Sequence, residues 1–222
     1  VTISFDRQLD YWNTFGPTKP FSHPLPVERF GGLVERNGPI LDVGCGYGRT
    51  LETLHAAGYA HLTGVDIAPA MIDLAQRRVP SASLHRVDAG GRLPFADHTF
   101  SAALLVSVLT CVPTDQGQRA LIADIARVLR PGGVVFVSDL WLQTDRRNVE
   151  RYERDCDRFG VYGCFSLPEG VVVRHHDREW IASLLERFEQ LTLDDLTVTT
   201  MNGNRASGFQ YFGRAPDSSA HS

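Results

Sequence analysis

Leu41-Asp42-Val43-Gly44-Cys45-Gly46-Tyr47-Gly48-Arg49 is the stretch on which the fold turns. The apolar run before Gly44 has the length of a strand. Glycines follow it at once, and from Arg49 to Ala57 Leu51 and Leu54 recur at helical spacing. A strand, a glycine turn and a helix in this order let the backbone approach a ligand closely. In an open α/β sheet such a turn lies at the carboxyl ends of the strands, by the topological switch point.

The rhythm continues outward. His61 to Asp66 reads as a second strand, and Pro69 opens a helix carrying Met71, Ile72, Leu74 and Ala75. Ser83 to Asp88 is a third strand, and Phe100 to Leu109 a fourth, buried on both faces. Residues 115–129 place Leu121, Ile122, Ile125, Val128 and Leu129 on one helical face, stopped by Arg130-Pro131-Gly132-Gly133. Val134 to Val137 is a fifth strand, ending at Asp139. Alternating strands and helices imply right-handed βαβ units and a parallel sheet covered on both faces. Asp177 can cap a last helix with Trp180, Ile181, Leu184, Leu185 and Phe188. Leu191 to Thr200 and Gly208 to Arg214 follow without a helix between them, as an antiparallel hairpin closing the sheet.

The expected organisation is a central domain over 39–215 with additions. Residues 1–38 hold Tyr11, Trp12, Phe15, Phe21 and Phe30 among several prolines, and read as a lid segment of short helix and loop. The insert at 141–170 is lid-like. Within it Asp145 to Arg158 is a densely charged helix whose apolar stripe is Val149, Tyr152 and Cys156. The tail, 216–222, is small, polar and frayed.

Composition narrows the function. The chain has 222 residues, 43% hydrophobic and 22% charged, which suits one globular domain. A net charge of −4 and a pI near 6.1 argue against a nucleic-acid partner. Lys19 is the only lysine, and it is not in a G-x-x-x-x-G-K loop, so a Walker-type site is excluded. The four cysteines form no C-x-x-C pair, and no metal is expected. The longest apolar run, Ala102 to Val112, is too short to span a bilayer, and the first thirty residues lack a signal-peptide core. The expectation is a cytoplasmic protein without membrane partners, monomeric or homodimeric.

The glycine spacing is G-x-G-x-G, with Arg49 where a dinucleotide fingerprint would have its third glycine. A ligand with a small amino-acid end fits that turn better than a diphosphate. Asp66, at the end of the second strand, can accept from both hydroxyls of a ribose. Asp88, at the end of the third, can accept from an adenine amino group, and Ile67 and Met71 can flank the ring.

These segments, LDVGCGYGR, GVDIAPAM, RVDAGGRLPFADHTF and RVLRPGGVVFVSD, resemble the class I S-adenosylmethionine-dependent methyltransferases in order and spacing over residues 39–140. The resemblance implies a doubly wound, seven-stranded, mostly parallel sheet with one antiparallel strand, and S-adenosylmethionine as cofactor. It implies that Asp42, Gly44, Cys45 and Gly46 meet the methionine end and Asp66 the ribose. Ile67, Met71, Asp88 and Ala89 then meet the adenine, and the sulfonium lies near Ser107.

The acceptor is approached by exclusion. No [DNS]-P-P-[YFW] motif, Asp-Asn pair or paired glutamates after the fourth strand occurs, which leaves a small molecule with an O, N or S nucleophile. His23 is the candidate general base. Tyr11, Trp12, Lys19, Trp141, His175 and His176 are the candidates for binding the acceptor. One of the two adjacent histidines should face the pocket if their segment is extended. Two other readings remain at this point: a non-catalytic S-adenosylmethionine-binding module, and an NAD(P)-dependent oxidoreductase, disfavoured by Arg49 and by the lack of a Tyr-x-x-x-Lys pair.

Overall fold

The structure is a computed structural model that describes residues 5–20 and 22–217. Phe21 and the end of the tail, 218–222, lie outside the described residues. In chain order come α1 (Phe5–Thr14), α2 (Val27–Leu33), β1 (Ile40–Val43), α3 (Arg49–Ala56), β2 (Leu62–Asp66), α4 (Pro69–Arg78), β3 (Ser83–Arg86) and β4 (Phe100–Val106). They are followed by α5 (Asp115–Val128), β5 (Leu129–Leu140), α6 (Arg146–Phe159), β6 (Cys164–Ser166), β7 (Val172–Arg174), α7 (Arg178–Leu185), β8 (Glu189–Thr199) and β9 (Arg205–Arg214).

Seven strands form one sheet in the order β3-β2-β1-β4-β5-β9-β8. β9 runs antiparallel to both neighbours and the other six share one direction. The order reverses between β1 and β4, so the loops leaving these strands part and open a crevice. Alternation along the strands feeds two cores. Leu41, Val43, Ala103, Leu105, Val135 and Val137 face α5 and α7 through Ile122, Ile125, Ile181 and Leu184. Ile40, Ala102, Leu104, Val134 and Phe136 face the other way, onto Phe30, Leu51, Leu54 and Tyr59.

Local chemistry sets the helix ends. Thr114 Oγ1 accepts from the Gly117 amide, Asp145 Oδ1 from Asn148 and Asp177 Oδ1 from Trp180. Each cap satisfies one of the orphan amides of a first turn, worth about 1 kcal/mol. Gly160, at φ 70°, ends α6.

Several boundaries differ from the sequence reading. β3 stops at Arg86, and Asp88 stands in the turn beyond it, where the Gly91 amide bonds to the Asp88 carbonyl. β4 stops at Val106 because Ser107 turns to φ 60° and leaves the ladder. β5 begins at Leu129, since the Pro-Gly-Gly turn ends α5 but is absorbed as an irregularity in the ladder. The buried face of α6 is Asn148, Tyr152 and Asp155, offset from the expected stripe. The hairpin of β6 and β7 was not legible, as three-residue strands carry no period. It packs Phe165 and Val173 against Tyr11 and Tyr152, in a third apolar cluster.

Candidate active site

A cleft of about 1010 Å³ opens at the carboxyl ends of β1, β2 and β4. Asp42, Gly44, Cys45 and Gly46 line it from the first loop, Asp66, Ile67 and Met71 from the second, Asp88 and Ala89 from the third, and Ser107 from the fourth. The first loop is threaded through Gly44 (φ 65°), Gly46 (φ 54°) and Gly48 (φ 82°). A Cβ on Gly48 would stand 3.1 Å from Ala75 of α4, so this residue lets the loop pass the helix. A Cβ on Gly46 would meet nothing within 4 Å, so this glycine faces open space.

Asp66 organises two loops. Its Oδ2 accepts from the Gly46 amide and its Oδ1 from the Ala68 amide, each at 2.9 Å. Burial raises its pKa, and these amides, with that of Ile67, pull it back. A carboxylate has about four acceptor sites, so roughly one stays available beside these three amides. Asp42 is 1% exposed, and its Oδ2 has no hydrogen-bond partner. Burial pushes its pKa up to about 8, although the nearby Arg49 works against that shift. An orphaned buried carboxylate on a cleft wall is costly unless a ligand donor meets it. The ammonium of a methionine moiety is such a donor. With the open face of Gly46 and the remaining acceptor site of Asp66, the cleft therefore fits S-adenosylmethionine.

A second cavity of about 90 Å³ adjoins the cleft, and Trp12, Ser107 and Cys111 line both. Ser107 holds its left-handed backbone by donating its amide to the Ser138 carbonyl at 2.8 Å. Strain of this kind costs about 1–3 kcal/mol and gathers at functional sites. His23 and His175 line the smaller cavity. His23 is 5% exposed, with Nδ1 3.0 Å from Ser138 Oγ. Burial, and then the charge of Arg49, lower its pKa to about 4. His175 Nδ1 lies 2.5 Å from the Tyr152 hydroxyl, and burial holds its pKa well below the usual imidazole value.

Four expected acceptor-binding residues line neither cavity. Tyr11 is part of the third apolar cluster, with its hydroxyl 3.8 Å from Met201 Sδ. Lys19 donates to Asn202 Oδ1 at 2.9 Å and stands 3.9 Å from Glu169, so it ties the N-terminal segment to the β8–β9 turn. Trp141 packs on Phe209 with ring centroids 4.2 Å apart, and its Nε1 donates to Asp195 at 2.8 Å. His176 is 1% exposed, 2.9 Å from Gln118 Nε2 and 3.2 Å from the Leu140 carbonyl. Its neighbour takes the cavity side, since adjacent residues of an extended segment point oppositely.

Other lining residues escaped the sequence reading. Gln8 of α1 lines the cleft, donating Nε2 to the Val172 carbonyl at 2.7 Å while its Oε1 is buried without a partner. A lone glutamine on a helix gives no signal. Cys111 follows the strained Ser107, and Arg147, Asn148 and Arg151 of α6 reach the smaller cavity. Among the described residues no three His, Cys, Asp or Glu side chains are grouped to hold a metal. No helix among them is long and apolar enough to cross a membrane.

Known proteins agree with this geometry. Residues 40–133 match the family model described as a methyltransferase domain. An O-methyltransferase of Aspergillus nomiae is 34% identical over 131 residues, which are 57% of this chain and 57% of that protein. A ubiquinone biosynthesis O-methyltransferase of Vibrio parahaemolyticus is 26% identical, covering 93% of this chain and 87% of that one. The crystal structure of an S-adenosylmethionine-dependent methyltransferase from Methanosarcina mazei superposes with a TM-score of 0.80 at 25% identity, over 87% of this chain and 99% of that one. With its strand order, its glycine loop and its acidic strand ends, this chain belongs to the class I S-adenosylmethionine-dependent methyltransferases.

Proposed function

We propose that the enzyme methylates an oxygen of a small hydroxylated molecule bound in the smaller cavity. The observation that carries this reading is the contact between the two cavities at Trp12, Ser107 and Cys111. A module that merely held the cofactor would have no use for a second cavity there. The choice of oxygen is supported by the Aspergillus and Vibrio relatives, both O-methyltransferases.

S-adenosylmethionine supplies a methyl group already activated on a sulfonium. The chain's own work is then to bind, align and exclude water. In this reading Asp42 accepts from the cofactor's ammonium and Asp66 from its ribose hydroxyls. Gly44, Cys45 and Gly46 approach the methionine end; Ile67 and Met71 flank the adenine, whose edge meets Asp88 and Ala89. His23 is neutral at physiological pH because its pKa is lowered to about 4. Its Nδ1 is engaged by Ser138, which leaves Nε2 to take the acceptor's proton. So weak a base contributes less than alignment does. The four cysteines are all free, which supports a reducing, cytoplasmic setting.

Labelled methyl donor presented with a panel of phenols, thiols and amines tests the reading. Label should enter phenolic oxygens and depend on Asp66. Transfer confined to thiols or amines would overturn the choice of oxygen, and no transfer to any class would overturn the enzyme reading of the smaller cavity.

A further inference from the structure

The smaller cavity is unusual in its charge. Arg147 and Arg151 line it, and among the described residues no aspartate or glutamate does. Both belong to α6, four residues apart, so they share one face and repel each other. Arg146, Arg147 and Arg154 of this helix are exposed, and each has a carboxylate within 4 Å. Arg151 is less exposed than these three and has none among the described residues. Its Nη2 donates to Asn148 Oδ1, and its Nε is buried without an acceptor. Asp145 is occupied as the cap of α6, bonding the amide and side chain of Asn148, and Asp155, one turn on, is taken by Arg154 and the Ser166 amide. The guanidinium lies over the ring of Phe165, 3.7 Å from its centroid, and Phe165 lines the same cavity.

A buried, orphaned guanidinium N–H costs free energy that a ligand acceptor would recover. The histidines do not add to the local charge, because burial keeps both His23 and His175 neutral at pH 7. The charge on the wall is therefore that of the two arginines. A planar guanidinium matches a carboxylate through two parallel N–H···O bonds.

Building on the acceptor-cavity reading above, we propose that the methyl acceptor carries a carboxylate, which Arg151 binds with Arg147 beside it. Anchored there, the molecule presents its opposite end toward Ser107 and Cys111, where the cavity meets the cofactor cleft.

The three hydroxybenzoate isomers and their matched hydroxybenzamides provide the test. Binding of each is measured by calorimetry to the full chain loaded with S-adenosylhomocysteine. At least one acid should bind about tenfold tighter than its amide, roughly the yield of one charge-assisted pair. Arg151→Gln should remove that preference while leaving the affinity for S-adenosylhomocysteine within about twofold, since Arg151 does not line the cleft. Arg151→Lys, which keeps the charge and loses the fork, should restore part of it. Equal binding of acids and amides, equal weakening of both by Arg151→Gln, or no binding of any probe at millimolar concentration would each overturn the carboxylate. Labelled methyl transfer to neutral phenols in the same panel would then leave the methyltransfer reading standing without it.

Discussion

The backbone amide of Gly46 donates to Oδ2 of Asp66 at 2.9 Å, so one carboxylate pins the first glycine loop to the end of β2. Its other oxygen fixes the start of α4 through the Ala68 amide. Asp66 thus shapes the cleft before any ligand arrives. Asp66→Ala removes both tethers together with the acceptor proposed for the ribose. Charge-assisted bonds contribute about 1.5–3 kcal/mol each. S-adenosylhomocysteine should bind at least tenfold more weakly by calorimetry, with the far-ultraviolet dichroism retained. An unchanged affinity would remove Asp66 from the site.

Gly46 offers a sharper probe of the cradle. Its φ of 54° disfavours any side chain, and a Cβ there projects into open space within the cleft. A branched residue adds strain of about 1–2 kcal/mol and fills the ligand's place. Gly46→Val should abolish S-adenosylhomocysteine binding while the protein stays folded. Tight binding by that variant would show that the ligand lies elsewhere.

Asp42 carries a pH signature. Its pKa is about 8 in the fold, against 3.8 in an exposed carboxyl, chiefly because of burial. Between these values the folded state holds a proton that the unfolded state has lost. This group's contribution to stability therefore falls as pH rises from about 4 to about 8. In the ligand-free protein, Asp42→Asn should raise the melting temperature more at pH 8 than at pH 5. The same variant should weaken S-adenosylhomocysteine binding, because the ammonium loses its partner. A melting difference independent of pH would contradict the assignment.

How far the sequence carries depends on the range of each interaction. The first loop and Asp66 were legible because a strand, a turn and a helix within thirty residues fix their relative positions. The acidic strand ends then fall on one edge of the sheet by topology alone. The acceptor side is assembled from remote pieces. Lys19 finds Asn202, and Gln8 finds Val172, across more than 160 residues. No local pattern encodes such pairings. Tyr11 and Trp12 are adjacent, yet one packs inward and the other reaches both cavities. Aromatic content said that the segment covers something, but not which ring faces the site. The parity of His175 and His176 was readable, while its sense depends on the hairpin of β6 and β7, which was not.

Those two histidines can be separated by experiment. His176 accepts no solvent and bridges Gln118 to the Leu140 carbonyl, with its pKa lowered to about 3, mainly by burial. A histidine kept neutral in this way gives its full stability above the unfolded value of about 6.5, and loses it as pH falls toward 3. His176→Ala should cost about 1–3 kcal/mol through the partners it orphans, and flatten the acid limb of the stability curve. The rate per folded molecule should hold. His175→Ala should do the reverse, slowing transfer with a smaller loss of stability. Equal kinetic losses in both would undo the assignment of one ring to the core and the other to the cavity.

The last prediction concerns the N-terminal segment, which the sequence leads us to propose as a lid. Asn13 Oδ1 accepts from the Ala70 amide at 3.2 Å, and Arg49 Nη2 donates to the His23 carbonyl at 2.6 Å. Both partners belong to elements that carry cofactor-lining residues, so filling the cleft should steady the segment. Trp12 stands where the two cavities join, and excluding water there strengthens every electrostatic contact inside. Amide hydrogen exchange in α1 should therefore slow when S-adenosylhomocysteine binds. Removing residues 1–24 should leave the sheet and its two main cores folded, since those cores draw on none of the described side chains among them. Turnover should fall about a hundredfold, the scale set by misplacing a reacting group by an ångström. Trp12→Ala, which keeps the backbone and His23, should reproduce part of that loss. Full turnover by the truncated chain would rule out the lid, and exchange in α1 indifferent to the ligand would uncouple it from the cleft.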